Sequence, residues 1–126
     1  MILCNTNVLI EFYKNNPTVI DEMRNIGVDQ LAISIITQAE LYYGALNKGE
    51  LAQIQRHLRL VHTLPIDQDI SAQFIQLMAC YSLSHKLTIP DALIASTALV
   101  NDLALYTLNI KDFRFIKGLS LYQSSS

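Results

Sequence analysis

The chain has 126 residues, 51% of them apolar and only 16% charged, with a formal net charge of −2. Its length predicts one domain over 1–123, with a core that needs no disulfide or structural metal, and a flexible tail at 124–126. The composition excludes a disordered chain, a coiled coil and a protein wrapped in basic charge, and its apolar surplus points to a surface shared with another chain.

Residues 2–4 form a short apolar run that stops at polar Asn5-Thr6-Asn7, which predicts a buried strand. A helix follows over 7–14, with Val8, Leu9 and Phe12 on one face. Pro17 opens a second helix, over 19–26, which stops at Gly27. The next strand is 31–34. A long helical pattern runs from 37 to about 46 and ends near Gly49, and another covers 51–60. A short strand is expected over 61–64, before Pro65. Ile70, Phe74, Leu77, Met78 and Tyr81 are spaced for a helix over 70–85. An apolar helix over 91–101, a strand over 103–106, one or two helical turns over 109–115 and a last strand over 119–122 complete the pattern.

Strands alternating with helices predict an α/β fold with a mostly parallel sheet covered on both faces. The glycines, Gly27, Gly44, Gly49 and Gly118, make neither a dinucleotide-binding fingerprint nor a P-loop. The first residues lack the charged and apolar regions of a signal peptide. The longest nearly apolar run, 92–100, is too short to span a membrane. Cys4 and Cys80 form no C-x-x-C, which fits a reducing, cytoplasmic setting.

In an open parallel sheet the site lies beyond the carboxyl ends of the strands. Four segments deliver polar groups there: Asn5, Glu40, Asp91, and Asn109 or Asp112. Glu40 and Asp91 sit among apolar residues with no Lys or Arg close in sequence. An ionised carboxylate is costly there unless paired, and a hard divalent cation such as Mg²⁺ or Mn²⁺ takes carboxylate oxygens. Each residue also has a plain structural reading. Thr37 and Glu40 fit a capping box, Asp91 an N-cap, Asp112 a first-turn acid, and Asn5 and Asn7 a turn. Lys111, Arg114 and Lys117 recur every three positions, either steering phosphates or forming a solvated helix face.

Four segments in order carry a family resemblance. Ile2-Leu3-Cys4-Asn5-Thr6-Asn7-Val8-Leu9-Ile10, Thr37-Gln38-Ala39-Glu40-Leu41-Tyr42-Tyr43-Gly44, Asp91-Ala92-Leu93-Ile94-Ala95-Ser96-Thr97-Ala98 and Leu105-Tyr106-Thr107-Leu108-Asn109-Ile110-Lys111-Asp112-Phe113 are similar to the motifs of the PIN-domain ribonucleases. Within these, the chain resembles the VapC-type toxins of bacterial toxin–antitoxin pairs. The resemblance implies a PIN-like three-layer α/β/α domain and Mg²⁺- or Mn²⁺-dependent endonucleolytic cleavage of RNA. It implies a metal site of Glu40, Asp91, Asn109 and Asp112, with Thr6, Asn7 and Thr107 orienting it. It also implies a cognate antitoxin, an RNA substrate and a homodimer as partners. One position departs from the pattern: Asn5 stands where the family carries Asp. An amide is a weaker ligand than a carboxylate, so the expectation is an inactive or impaired nuclease. Intact Glu40 and Asp91 favour a deliberate Asp-to-Asn change over a decayed natural member.

Two other classes compete. A PIN fold kept only for dimerisation and antitoxin binding would stay inactive with Asp restored at position 5. Phosphoryl transfer through an aspartyl-phosphate needs an Asp after the first or a central strand, where this chain reads Asn5-Thr6-Asn7.

Overall fold

A computed structural model of the protein describes residues 1–123. The tail expected at 124–126 lies outside the described residues. The elements are β1 (Ile2–Cys4), α1 (Thr6–Tyr13), α2 (Pro17–Ile26), β2 (Leu31–Ser34), α3 (Ile35–Tyr43), α4 (Lys48–Leu58), β3 (His62–Leu64), α5 (Gln68–Tyr81), α6 (Ile89–Val100) and β4 (Ala104–Tyr106). Short 3-10 turns occupy Val28–Gln30 and Ile110–Asp112.

The sheet has four strands in the order β3-β2-β1-β4, and every pairing is parallel. Ile2 pairs with both Leu31 and Ala104, so β1 is flanked on both sides. Alternation along the strands separates two apolar layers. Cys4, Leu31, Ile33 and Tyr106 face a layer built with Val8, Leu9, Val19, Met23, Ile54 and Leu58 from α1, α2 and α4. Leu3, Ala32 and Leu105 face another, built with Leu77, Ile94, Ala95 and Ala98 from α5 and α6. α3 joins the two layers, since Leu41 packs in the first and Ile36 against the second. This is the three-layer α/β/α arrangement expected. Among the described residues no helix is long and apolar enough to cross a membrane.

The element boundaries moved where side-chain caps outcompete hydrophobic spacing. α3 starts two residues before Thr37, because the Ser34 hydroxyl accepts from the Ile36 N–H. α4 starts after Asn47 and α5 after Asp67, each capped by that residue's side-chain oxygen. α5 stops at Tyr81 rather than 85. The one or two helical turns expected over 109–115 are present as a 3-10 turn. The last strand, expected over 119–122, is a single bridge between Leu105 and Leu121. Leu105 donates to the Ser120 carbonyl at 2.9 Å and accepts from Tyr122 N–H at 2.8 Å, and the ladder ends there.

That short contact is reinforced by a side chain. Tyr122 donates its hydroxyl to the carboxylate of Glu22, which is 2% exposed on α2. This hydrogen bond, more than burial, pushes the Tyr122 phenol up to about 12. Tyr122→Phe removes a donor from a buried carboxylate. It should lower the unfolding free energy by about 1–2 kcal/mol, read from urea denaturation, with the fold unchanged by circular dichroism.

Candidate active site

The strand order creates a switch point. From β1 the chain builds outward through β2 to β3, then returns to place β4 on the other side of β1. The crevice beyond the carboxyl ends of β1 and β4 is where open α/β sheets bind ligands. Asn5 and Thr107 follow those two strands. The backbone ladder runs one step past them, from Asn5 N–H to the Tyr106 carbonyl at 2.9 Å.

Asn5 is buried at 6% exposure and caps α1. Its Oδ1 accepts from the Thr6 N–H at 2.9 Å, which fixes the orientation of the amide. Nδ2 therefore faces Thr107 and donates to its Oγ1 at 2.9 Å. The same hydroxyl oxygen accepts from Asn109 N–H at 3.1 Å and, at 3.5 Å, from Asn7 Nδ2. Asn7 Oδ1 accepts from Leu108 N–H at 3.4 Å. Thr107 thus gathers β1, α1 and the loop after β4.

A second chain of bonds reaches the acid on α3. Thr6 Oγ1 donates to Glu40 Oε1 at 2.8 Å and lies 2.9 Å from Thr37 Oγ1. The one proton of Thr6 goes to the carboxylate, so Thr37 donates to Thr6. Thr37 is fully buried. It is not the cap of α3, because Ser34 is; it is three residues before Glu40 on the same helix face. The T-x-x-E spacing read in the sequence as a capping box instead orders this relay. The role of Thr37 beyond a cap was missed for that reason.

Asp91 lies in the first turn of α6, whose cap is Thr88 rather than Asp91. Its backbone N–H meets Thr88 Oγ1 at 3.3 Å. Burial raises the Asp91 carboxyl above its usual range; Asp112 raises it further, a hydrogen bond with Thr88 works against the shift, and Glu40 adds to it. Asp112 and Glu40 thus each lie within electrostatic reach of Asp91. None of the three has an ion-pair partner within 4 Å among the described residues. Yet no group of three His, Cys, Asp or Glu among the described residues converges tightly enough to hold a metal ion by itself. Asn109 is exposed and joins through its backbone alone. Lys111, Arg114 and Lys117 are exposed; Lys111 lies in the 3-10 turn, and Arg114 and Lys117 lie beyond its end.

A groove of about 710 Å³ opens from Glu40 between α1, α3 and α4. Ile10, Phe12, Leu41, Leu46 and Ile54 give it apolar walls. Tyr13 and His57 close its far side, their side chains bonded at 2.8 Å.

Comparisons with known proteins agree with this architecture. A family model described as PIN domain matches residues 2–117. The chain is 33% identical over 121 residues to Ribonuclease VapC10 of Mycobacterium tuberculosis, covering 94% of this chain and 90% of that protein. It is 28% identical over 122 residues to tRNA(fMet)-specific endonuclease VapC of Shigella flexneri, covering 93% and 92%. Among solved structures, a toxin–antitoxin complex from Klebsiella pneumoniae matches with a TM-score of 0.82 and 31% identity, over 98% of this chain and 99% of that one.

The raised Asp91 carboxyl makes a stability prediction. A group whose folded value lies above its unfolded value holds its proton more tightly in the native state. It penalises folding above the folded value, and the penalty fades as pH falls toward 3.8. Asp91→Asn should therefore be more stable than the parent at pH 7 in EDTA, by less than about 1 kcal/mol because the site is half open to solvent. The gap should shrink toward pH 4 in thermal melts.

Proposed function

Since the chain belongs to the PIN domain family, among its VapC-type members, we propose that it is the toxin half of a toxin–antitoxin pair whose acidic site is built to cleave RNA phosphodiesters. The observation that carries this reading is Asp91: a half-buried carboxylate held beside Asp112 and Glu40 without a neutralising cation. Such an arrangement destabilises the fold and has no use in the core. Its chemistry is that of a cation site awaiting a hard divalent ion.

The donor set fits Mg²⁺ or Mn²⁺ in kind. Glu40, Asp91 and Asp112 are the acids that would draw together on it, since as they stand no three converge closely enough to hold an ion by themselves. When bound, the ion would polarise the phosphate and favour a hydroxide-like nucleophile. The protein's own residues do the positioning. Thr6, itself bonded to Thr37, holds Glu40 Oε1 and so fixes the carboxylate. Thr88 opens α6 so that Asp91 stands at its first turn.

Asn5 is the weak point. Its carbonyl oxygen is committed to the Thr6 N–H, and the other end of the amide is an N–H donor, which repels a cation. We propose that the chain as written binds metal poorly and cleaves RNA slowly or not at all. An aspartate fits the same place. Thr107 now accepts from the amide, and its hydroxyl proton would reverse to donate to a carboxylate. The competing reading, a PIN fold used only for docking, draws on the same observation, since Asn5 is fully bonded as it stands.

For the antitoxin we propose the groove that opens at Glu40. Its apolar walls fit an amphipathic segment, and a basic side chain at the segment's end would reach the acids. A second copy of the chain is proposed as the other partner, on the strength of the exposed apolar surplus.

The test is cleavage of a mixed RNA pool in Mn²⁺ by this chain beside Asn5→Asp. Asn5→Asp should cut at least about 100-fold faster, the scale expected for a lost anionic ligand. Asp91→Ala in the Asn5→Asp background should abolish the gain. Equal inactivity of both, with Mn²⁺ and no antitoxin present, would overturn the nuclease reading in favour of docking alone.

A further inference from the structure

At the end of α5 stands an aromatic cluster that reaches from the core to the surface. Tyr81 and Phe115 pack against the second apolar layer. His85 does not, and it is exposed. Its ring lies flat on Phe115, with centroids 4.2 Å apart and planes 11° apart. Tyr81 meets both rings edge-on, at 5.6 Å from His85 and 5.2 Å from Phe115. Ser84 Oγ bonds His85 Nδ1 at 2.8 Å, and Lys117 N–H donates to Tyr81 Oη at 3.2 Å. One face of the imidazole is covered and its edge is held, so its exposure falls on the opposite face. The result is a fixed aromatic ring presented to solvent.

Cations neighbour it along the chain, whose net charge is −2: Lys86 follows His85, Arg114 precedes Phe115 and Lys117 lies two residues beyond it. Lys86, Arg114 and Lys117 are all exposed. Lys86 sits at φ 55°, a left-handed conformation that an unbranched charged residue adopts at a cost of about 1 kcal/mol. The other left-handed non-glycine positions are Asn15 and Asp102, residue types that tolerate it. Lys86 takes this conformation where the chain leaves the last turn after α5, as Leu87 N–H donates to the Tyr81 carbonyl at 3.3 Å.

Both segments of the cluster run straight into the acidic site. Thr88 caps the helix that carries Asp91, and Arg114 follows Asp112 by two residues. By chain length, the His85 backbone lies no more than about 22 Å from that of Asp91. That distance corresponds to a few nucleotides of an extended strand.

We infer that His85, Phe115 and Tyr81, with Lys86, Arg114 and Lys117 adjacent along the chain, form a platform on which a base of single-stranded RNA stacks while the strand crosses the acidic site. The inference rests on the nuclease reading for its substrate class and names how that substrate is held. Stacking on an aromatic face tolerates any base, and phosphates follow the cations. A duplex keeps its bases stacked on each other and offers no free face.

The test uses the chain as written, in EDTA, with a fluorescent ten-nucleotide single-stranded oligoribonucleotide read by anisotropy. His85→Leu still covers Phe115 but has no π face, and should weaken binding about tenfold. His85→Phe should bind like the parent. Melting temperatures of both should match the parent, so that a loss of binding is not a loss of fold. Lys86→Gln and Arg114→Gln should each reduce the salt dependence of binding by about one ion. Duplex RNA should bind weakly and ignore His85→Leu. Parent-like binding by His85→Leu, or no binding of the oligonucleotide by the parent, overturns the platform. The nuclease reading is judged separately by Asn5→Asp cleavage. Cleavage with no effect of His85→Leu on binding removes the platform alone. Absent cleavage with a His85→Leu binding defect removes the nuclease and leaves the platform.

Discussion

The hydrogen bond from the Asn5 amide to Thr107 joins residues 102 positions apart and ties the ends of β1 and β4 into one crevice. It exists because β4 pairs in parallel beside β1. Parallel pairing puts both carboxyl ends on the same edge, and the return of the chain past β1 leaves that edge uncovered by a crossover. From this junction the rest follows. Asn5 caps α1, α1 supplies Thr6, and Thr6 carries the link to Glu40. Thr107 meanwhile sets the loop whose 3-10 turn ends in Asp112.

The crevice is electrostatically unfavourable by construction. Glu40, Asp91 and Asp112 approach one another without a paired lysine or arginine. What holds them is neutral: hydroxyls of Thr6, Thr37 and Thr88, and the opening turn of α6. Neutral donors fix the position of a carboxylate without cancelling its charge, so the site stays attractive to a cation or to a basic side chain. The same surface chemistry separates roles around it. The groove from Glu40 is walled by apolar side chains, whereas the segments beyond Asp112 and before Asp91 carry basic and aromatic residues.

Asn5 shows how one atom can divide structure from chemistry. Amide and carboxylate have nearly the same shape, and either can cap α1. Only the atom facing Thr107 differs, an N–H donor in place of an oxygen. The threonine hydroxyl accommodates both by reversing its proton. The fold is therefore indifferent to a change that decides how well a cation is held.

The sequence alone determined the alternation of strands and helices, the parallel sheet covered on both faces, and the segments that bear the acids. These depend on apolar periodicity and on turn residues near in sequence, such as Pro17 before α2 and the polar stop after Cys4. It misplaced the start of α3 and read Thr37 and Asp91 as caps, because a cap is chosen by competition among neighbouring side chains; Ser34 and Thr88 won. It expected a strand over 119–122, where tertiary contacts allow one bridge, while the short helical turn expected within 109–115 is present as a 3-10 turn. Only the tertiary structure decided that β4 lies beside β1, that Thr37 orders the hydroxyl chain to Glu40, and that His85 lies flat on Phe115. Each of these joins groups remote along the chain or depends on where one proton or one ring face points. Local propensity carries no record of either.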